Sequence, residues 1–252
     1  MKRFIKAWRE RGAAAVPVPP AAETLAADAL CALPAALPVA DARRVMVLAP
    51  HPDDETIGCG GLLLQLAAAR VPTRVVLVSD GAGAGGLPPG ADEVRYAEFR
   101  AALARLGQPD QVWLRLPDGA LAEAPTLAAC IEAEVRGFQP HWLLAPAADD
   151  LHRDHRAVAE AARRAACAVG AVDWLLHYET WAPLALTHVL DITAELPAKL
   201  QALRCHETAL ACGNYLPAAE GLARYRALML GHPVPEGAAE GYRCRERSTE
   251  FR

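Results

Sequence analysis

The segment Pro50-His51-Pro52-Asp53-Asp54-Glu55 puts one imidazole and three carboxylates directly after an apolar run at 45–49. A second cluster, Asp149-Asp150-Leu151-His152-Arg153-Asp154-His155, follows another apolar run at 141–145. Two histidines three apart point the same way on a helical turn. Imidazoles and carboxylates together suit a divalent metal, and a catalytic zinc site takes three such ligands and keeps a position for water. His51, Asp54 and His155 can supply the three. Asp53, beside a ligand, can take a proton from water made acidic by a metal. His152 can face the substrate as an imidazolium, stabilising an oxyanion or protonating a leaving amine. Asp154 can hydrogen-bond a ring nitrogen of His152, raising its pKa and fixing its orientation. Glu55 reads as support for the loop. Either cluster alone reads more readily as structural: a solvated turn or helix N-terminus for the first, a structural or exposed histidine pair for the second. The pair becomes distinctive because both follow strands that one parallel sheet can bring to the same edge.

The elements that must position these groups alternate regularly. Short β-branched or apolar runs at 45–49, 74–79, 111–116, 141–145 and 174–178 read as strands, with a short sixth at 188–192. Helices are predicted at 56–70, 92–106, 126–138 and 154–169, with Asp92 as an N-cap and Gly107 just past a helix end. Segments 196–210 and 221–230 read as helices covering the sheet's edge. The pattern predicts an α/β fold: a Rossmann-like three-layer sandwich with a mostly parallel sheet of five or six strands. Ligands in such sheets bind beyond the carboxyl ends of the strands, where both clusters, Asp80 and Asp118 fall. Gly58, Gly60 and Gly61 weaken the helix that holds them, so close backbone approach is expected there.

A net charge of −4 gives no footing for nucleic-acid binding. The seven cysteines are scattered, odd in number and without C-x-x-C, which reads as reduced, mostly buried thiols of a cytoplasmic protein. No apolar run approaches the roughly 20 residues of a membrane helix. Residues 1–12 carry Lys2, Arg3, Lys6, Arg9 and Arg11 against Glu10, with Phe4, Ile5 and Trp8 able to share a helical face. This reads as a solvated basic tail, the alternative being peripheral membrane contact. Residues 1–40 are taken as an N-terminal extension and 41–252 as a single domain. The run from Gly81 to Gly86 is a literal G-x-G-x-x-G, but Leu87-Pro88-Pro89-Gly90 follows where a dinucleotide fingerprint needs a helix. It reads as a loop beside the pocket. His177, Tyr178, Glu179 and Trp181 read equally as pocket wall or as the end of a strand. His188, His206 and His232 are assigned no role.

Pro50-His-Pro-Asp-Asp-Glu55 resembles the [AP]-H-P-D-D-E signature of the PIG-L/LmbE-like deacetylases, and His152-Arg-Asp-His155 resembles their H-x-D-H motif. Arg95-Tyr-Ala-Glu98 with Ala102 and Leu106-Gly107 is similar to their R-x-x-E…A…L-G helix, and Leu116-Pro-Asp118-Gly119 to their D-G turn. The similarity runs from about 45 to 230. It implies a zinc-dependent hydrolase that removes an N-acyl group, usually acetyl, from an amino sugar such as N-acetylglucosamine or its conjugate. Carried over, the metal ligands are His51, Asp54 and His155. Asp53 is the general base and also a carrier of the proton to the amine. His152 is the oxyanion stabiliser and acid, tuned by Asp154. Arg95 and Asp118 are contacts for sugar hydroxyls or a neighbouring anionic group. The same ligands accept Fe(II) or another divalent ion. Two rivals remain at this stage: a metal amidase for non-sugar N-acyl substrates, and a nucleotide-binding protein using the glycine loop.

Overall fold

The computed structural model describes residues 33–83, 86–231 and 235–246, with only the backbone of Glu246. The basic segment 1–12 and His232 lie outside them. Strands β1 (Ala35–Ala36), β2 (Val45–Ala49), β3 (Thr73–Ser79), β4 (Asp110–Leu116), β5 (Trp142–Pro146), β6 (Trp174–Tyr178), β7 (His188–Asp191) and β8 (Ala239–Glu246) form one sheet in the order β1-β7-β8-β6-β5-β2-β3-β4. Every pairing is parallel except those of β8, which runs antiparallel to both β6 and β7. The sheet is therefore mostly parallel as expected, but it has eight strands rather than five or six. The two extra strands carry no β-pattern. Ala35–Ala36 is a pair of alanines, and Ala-Glu-Gly-Tyr-Arg-Cys-Arg-Glu hides its inward face behind a buried glutamate, Glu240.

The continuous apolar run of β2 follows from its place between β3 and β5, with both faces covered. Val45, Val47 and Ala49 pack on one face, beneath α1 (Asp54–Ala68) and α2 (Ala91–Arg105). Met46 and Leu48 pack on the other, beneath α3 (Leu127–Phe138) and α4 (Arg153–Ala168). The predicted helix at 196–210 is broken at 204–206 into α5 (Leu196–Leu203) and α6 (Glu207–Cys212). Helix α7 (Tyr215–Arg226) starts earlier than expected, because Pro217 falls in its first turn, where a proline is tolerated. These helices do not cap the sheet's edge. α5 and α7 lie on the α1/α2 face and share its core through Leu196, Ala202 and Ala223.

Gly90, not Asp92, is the N-cap of α2, in a left-handed conformation; Asp92 lies in the first turn, where its carboxylate meets the positive end of the helix. A Cβ at Gly58 would meet the Tyr178 ring at 2.2 Å, one at Gly61 would meet Ile192 at 2.3 Å, and one at Gly60 would meet Lys199 at 2.8 Å. The close approach is real, but side chains make it rather than backbone. Among the described cysteines only Cys59 is buried, and Cys167 and Cys212 are exposed, so the thiols are not mostly interior. No helix among the described residues is long and apolar enough to cross a membrane.

The chain runs outward from β2 in both directions, to β3 and β4 on one side and to β5 and β6 on the other. The crevice at this reversal, beyond the carboxyl ends of β2 and β5, is where an open α/β sheet binds ligands. Val47 pairs with Leu144 in register, so the loops carrying the two acidic-histidine clusters leave the sheet side by side.

Candidate active site

The first loop is held in an unusual backbone. Asp53 has φ 132°, a region that L side chains rarely adopt, which marks stored strain at the head of α1. Three contacts hold it there. Its carbonyl accepts from Thr56 N at 3.0 Å and Ile57 N at 2.9 Å, and its N–H donates to Glu55 Oε2 at 3.2 Å. Asp53 is the N-cap of α1, yet its side chain makes no capping bond. Glu55 reaches back to cap instead, which leaves the Asp53 carboxylate free to line the cavity. Glu55 is itself fixed by Thr56 Oγ1 at 2.5 Å and by the buried His206 Nε2 at 3.3 Å.

His51 and His155 meet across the crevice. His51 Nδ1 lies 3.3 Å from Asp54 Oδ2 and 3.3 Å from His155 Nε2, and His155 Nε2 lies 3.2 Å from Asp54 Oδ2. The opposite nitrogen of each ring faces an anchor. His51 Nε2 sits 3.0 Å from Asp118 Oδ1 and 3.3 Å from Asp154 Oδ2. His155 Nδ1 sits 3.0 Å from Thr180 Oγ1 and 3.4 Å from Asp150 Oδ2, and the Thr180 hydroxyl donates on to Asp150. Where a metal takes the place of the inner protons, carboxylates on the outer nitrogens would keep the remaining ring protons there and turn the inner lone pairs toward a common point, as in carboxylate–histidine–metal arrangements.

Among the described residues two sets of donors converge within 4.8 Å: His51 with His152 and His155, and His51 with Asp118 and Asp154. The second set is committed elsewhere. Asp154 accepts from Gly119 N at 2.7 Å and Leu121 N at 3.1 Å, and Asp118 accepts from Gly83 N at 3.0 Å. In the first set, His152 Nδ1 accepts from the Asp154 N–H at 3.2 Å. The three inner atoms of His51, Asp54 and His155 fit a metal better. Tetrahedral ligands at zinc-like bond lengths lie about 3.3 Å apart, and these three are mutually 3.2–3.3 Å apart. The cluster can thus coordinate a divalent metal.

The sequence-based role of Asp154 needs correction. Its carboxylate points off the N-terminus of α4 onto His51 and the 119–121 loop, not onto a ring nitrogen of His152. His152 is the N-cap of α4, with extended backbone, so its ring folds back to receive the Asp154 backbone N–H. Burial, then the neighbouring His51 and His155, push His152 below its ordinary pKa. It is a neutral ring with Nε2–H as its free donor, not an imidazolium. Burial would also lower His51, but Asp118, Asp154 and Asp54 around it hold it well above its usual value. His155 likewise rises to about 9 against burial, through Asp54 and Asp150. Asp54, though burial opposes it, is held well below the usual carboxylate range by His155 and His51. Asp53 goes the other way. Burial and then the adjacent Asp54 charge push it up to about 7.

Arg95 lies in the interior of the fold. It is buried and donates to Gly81 O at 2.6 Å and Pro52 O at 3.1 Å, and it lies 3.7 Å from both Asp53 and Asp118. It ties the start of the glycine loop to the His51 loop. That loop opens no helix; α2 begins only at Ala91. Trp181 lines the cavity, whereas His177, Tyr178 and Glu179 finish the sheet. His177 Nδ1 donates to Pro146 O at 2.8 Å, Tyr178 donates to Leu48 O at 2.7 Å, and Glu179 accepts from Arg226 Nε at 3.0 Å. Asp150, Thr180, Tyr215 and His206 were not singled out from sequence. Asp150 stood inside the second motif and was legible there; the other three come from distant segments with no local signature.

The family model for GlcNAc-PI de-N-acetylase matches residues 46–166. A 1D-myo-inositol 2-acetamido-2-deoxy-alpha-D-glucopyranoside deacetylase from Saccharopolyspora erythraea is 28% identical over 233 residues, covering 66% of this chain and 77% of that protein. The structure of N,N'-diacetylchitobiose deacetylase from Pyrococcus horikoshii superposes with a TM-score of 0.73 at 22% identity, covering 83% of this chain and 86% of that one. The 4-carboxy-2-hydroxymuconate hydratase GalB from Pseudomonas putida KT2440 superposes with a TM-score of 0.68 at 18% identity, covering 82% and 98%. The fold is shared by a deacetylase and a hydratase, so the site must carry the argument for the reaction.

Proposed function

This chain belongs to the PIG-L/LmbE-like family of metal-dependent amide hydrolases, and we propose that it removes an N-acyl group from an amino sugar or amino-sugar conjugate. The observation that carries the reading is the triangle of His51 Nδ1, Asp54 Oδ2 and His155 Nε2, with each imidazole anchored from behind by a carboxylate. A divalent ion held by these three residues, zinc before Fe(II), supplies the Lewis acidity that activates water and polarises an amide carbonyl.

The chain's own residues do the rest. Asp53, whose carboxyl burial and the Asp54 charge raise to about 7 in the metal-free protein, takes a proton from the attacking water and hands it to the departing amine. One carboxyl near neutrality can do both, because it is neither a strong acid nor a fully committed anion. His152 donates its Nε2–H to the developing oxyanion. It is a poor proton source, so the general-acid role passes to Asp53. Asp118 and Asp154 hold the His51 ring in place. This leaves Asp118 less free to bind a sugar hydroxyl than the sequence suggested, while Arg95 fixes the loop that carries Asp53. The polar wall formed by Asp53, Arg95, Asp118 and Gly83 suits the hydroxyls of a sugar, and the scattered cysteines favour a cytoplasmic setting.

The test is metal content together with acetate release from N-acetylglucosamine conjugates, in wild type and in Asp53→Asn. Stoichiometric metal in both, with release in wild type alone, is expected. Undiminished release in the variant would remove Asp53 as the base; no release from any N-acyl amino sugar would remove the reading.

A further inference from the structure

The cavity at the His51/Asp54/His155 triangle is small, about 150 Å³. Beside it lies a larger one of about 460 Å³, and the two share Ile57, Trp181 and Tyr215. Their characters differ sharply. The first is walled by Asp53, Arg95, Asp118 and His152. The second is closed by Ala218, Ala219 and Leu222 of α7 and has no charged side chain in its lining; its polar side-chain groups are the Thr180 and Tyr215 hydroxyls, the Asn214 amide, the Cys212 thiol and the Trp181 indole N–H. Trp181, the residue between them, is 49% exposed.

An amide placed at the triangle divides its substrate between these walls. The hydroxyl-bearing amine half fits the side of Arg95 and Asp118. The acyl half is directed toward Ile57, Trp181 and Tyr215. An acetyl group ends at its methyl and leaves the larger cavity unused, although that cavity is of the size that holds whole small-molecule ligands. We propose, building on the hydrolase reading, that the preferred acyl group is longer than acetyl: a straight chain of several carbons that runs past Ile57 into the apolar cavity beneath α7. The reaction is otherwise the same. Water adds to the acyl carbon, the C–N bond breaks, and the proton taken up by Asp53 leaves with the amine, giving a fatty acid and a free amino sugar.

The experiment is a chain-length series of N-acetyl-, N-butyryl-, N-hexanoyl- and N-octanoyl-glucosamine. For the metal-loaded wild type kcat/KM is measured; for metal-loaded Asp53→Asn, Kd is measured by calorimetry. Each buried methylene strengthens binding by roughly fourfold. Both quantities are therefore expected to improve at least tenfold from acetyl to hexanoyl. Ala218→Trp, which fills the cavity from an exposed helix position, should collapse the hexanoyl-to-acetyl ratio toward one. A Kd that is flat or weakens with chain length overturns the proposal, and so does a gain that persists in Ala218→Trp. The two readings fail separately. Hydrolysis of acetyl with no gain on lengthening removes the acyl cavity and keeps the hydrolase. Tighter binding with no amide cleaved at any length removes the hydrolase and keeps the cavity.

Discussion

Helix α1 carries two buried ionic clusters, and they are built on opposite plans. Near its middle, Glu240 receives four donors. Oε1 accepts from Gly61 N and Lys199 Nζ, both at 2.7 Å, and Oε2 accepts from Leu62 N at 2.9 Å and the Tyr242 hydroxyl at 2.7 Å. Lys199 Nζ also donates to Ile57 O at 2.7 Å. That cluster is complete: one anion, one cation, lone pairs occupied. At the head of the same helix, Asp54, Asp118, Asp150 and Asp154 crowd His51 and His155, with Asp53 and His152 beside them in the cavity wall, and the permanent cation there, Arg95, is directed to carbonyl oxygens. The inner atoms of His51, Asp54 and His155 face one another, and in the metal-free protein only extra protons on the two imidazoles offset Asp54. Burial of charge marks both clusters and so identifies neither. What separates them is whether the fold finishes the charge balance or leaves it to a cation.

The contrast can be broken by substitution. Asp54→Ala at the unfinished cluster should abolish activity and lower bound metal to a small fraction of wild type, read by metal analysis of the purified protein. Asp53→Asn should keep the metal and lose kcat by about 10²–10⁴-fold, the scale of a positioned general base. His152→Ala should cost about 10²–10³ in kcat, the scale of one oxyanion donor, with metal content again unchanged.

At the finished cluster the effect should fall on stability instead. Lys199→Met strands a buried carboxylate and should destabilise by about 3–5 kcal/mol, seen as a lower denaturation midpoint with metal content intact in the folded fraction. If Lys199→Met stripped the metal while sparing stability, the distinction between the clusters would collapse.

The smallest effect concerns pH. Asp53 titrates near 7 in the fold and near 3.8 when unperturbed. Between those values the unfolded chain has released a proton that the metal-free native state still holds, so this carboxyl's penalty is absent at low pH, grows from about pH 4 to 7, and is full above. Metal-free Asp53→Asn should melt higher than wild type at pH 8, by at least about 2–4 °C, and differ little near pH 4. A difference that was the same at both pH values would show that Asp53 is not the group responsible.

Much of this protein was legible in its residues. The pattern of apolar runs fixed a mostly parallel sheet, because strands buried on both faces must be apolar throughout. The spacing of His51, Asp53 and Asp54 after one strand and of His152 and His155 after another marked both halves of the site. β8 was invisible because Glu240 and the arginines beside it mask its pairing, and its stability depends on Lys199, far away in the chain. Tertiary structure alone decided the division of labour. The sequence cannot say which nitrogen of His51 turns inward; Asp118, brought by the loop after β4, settles it. Nor can it say that Asp154 braces His51 rather than His152, or that Asp53 sits near neutrality. Those outcomes depend on distances between segments and on burial, and burial exists only once the chain has folded.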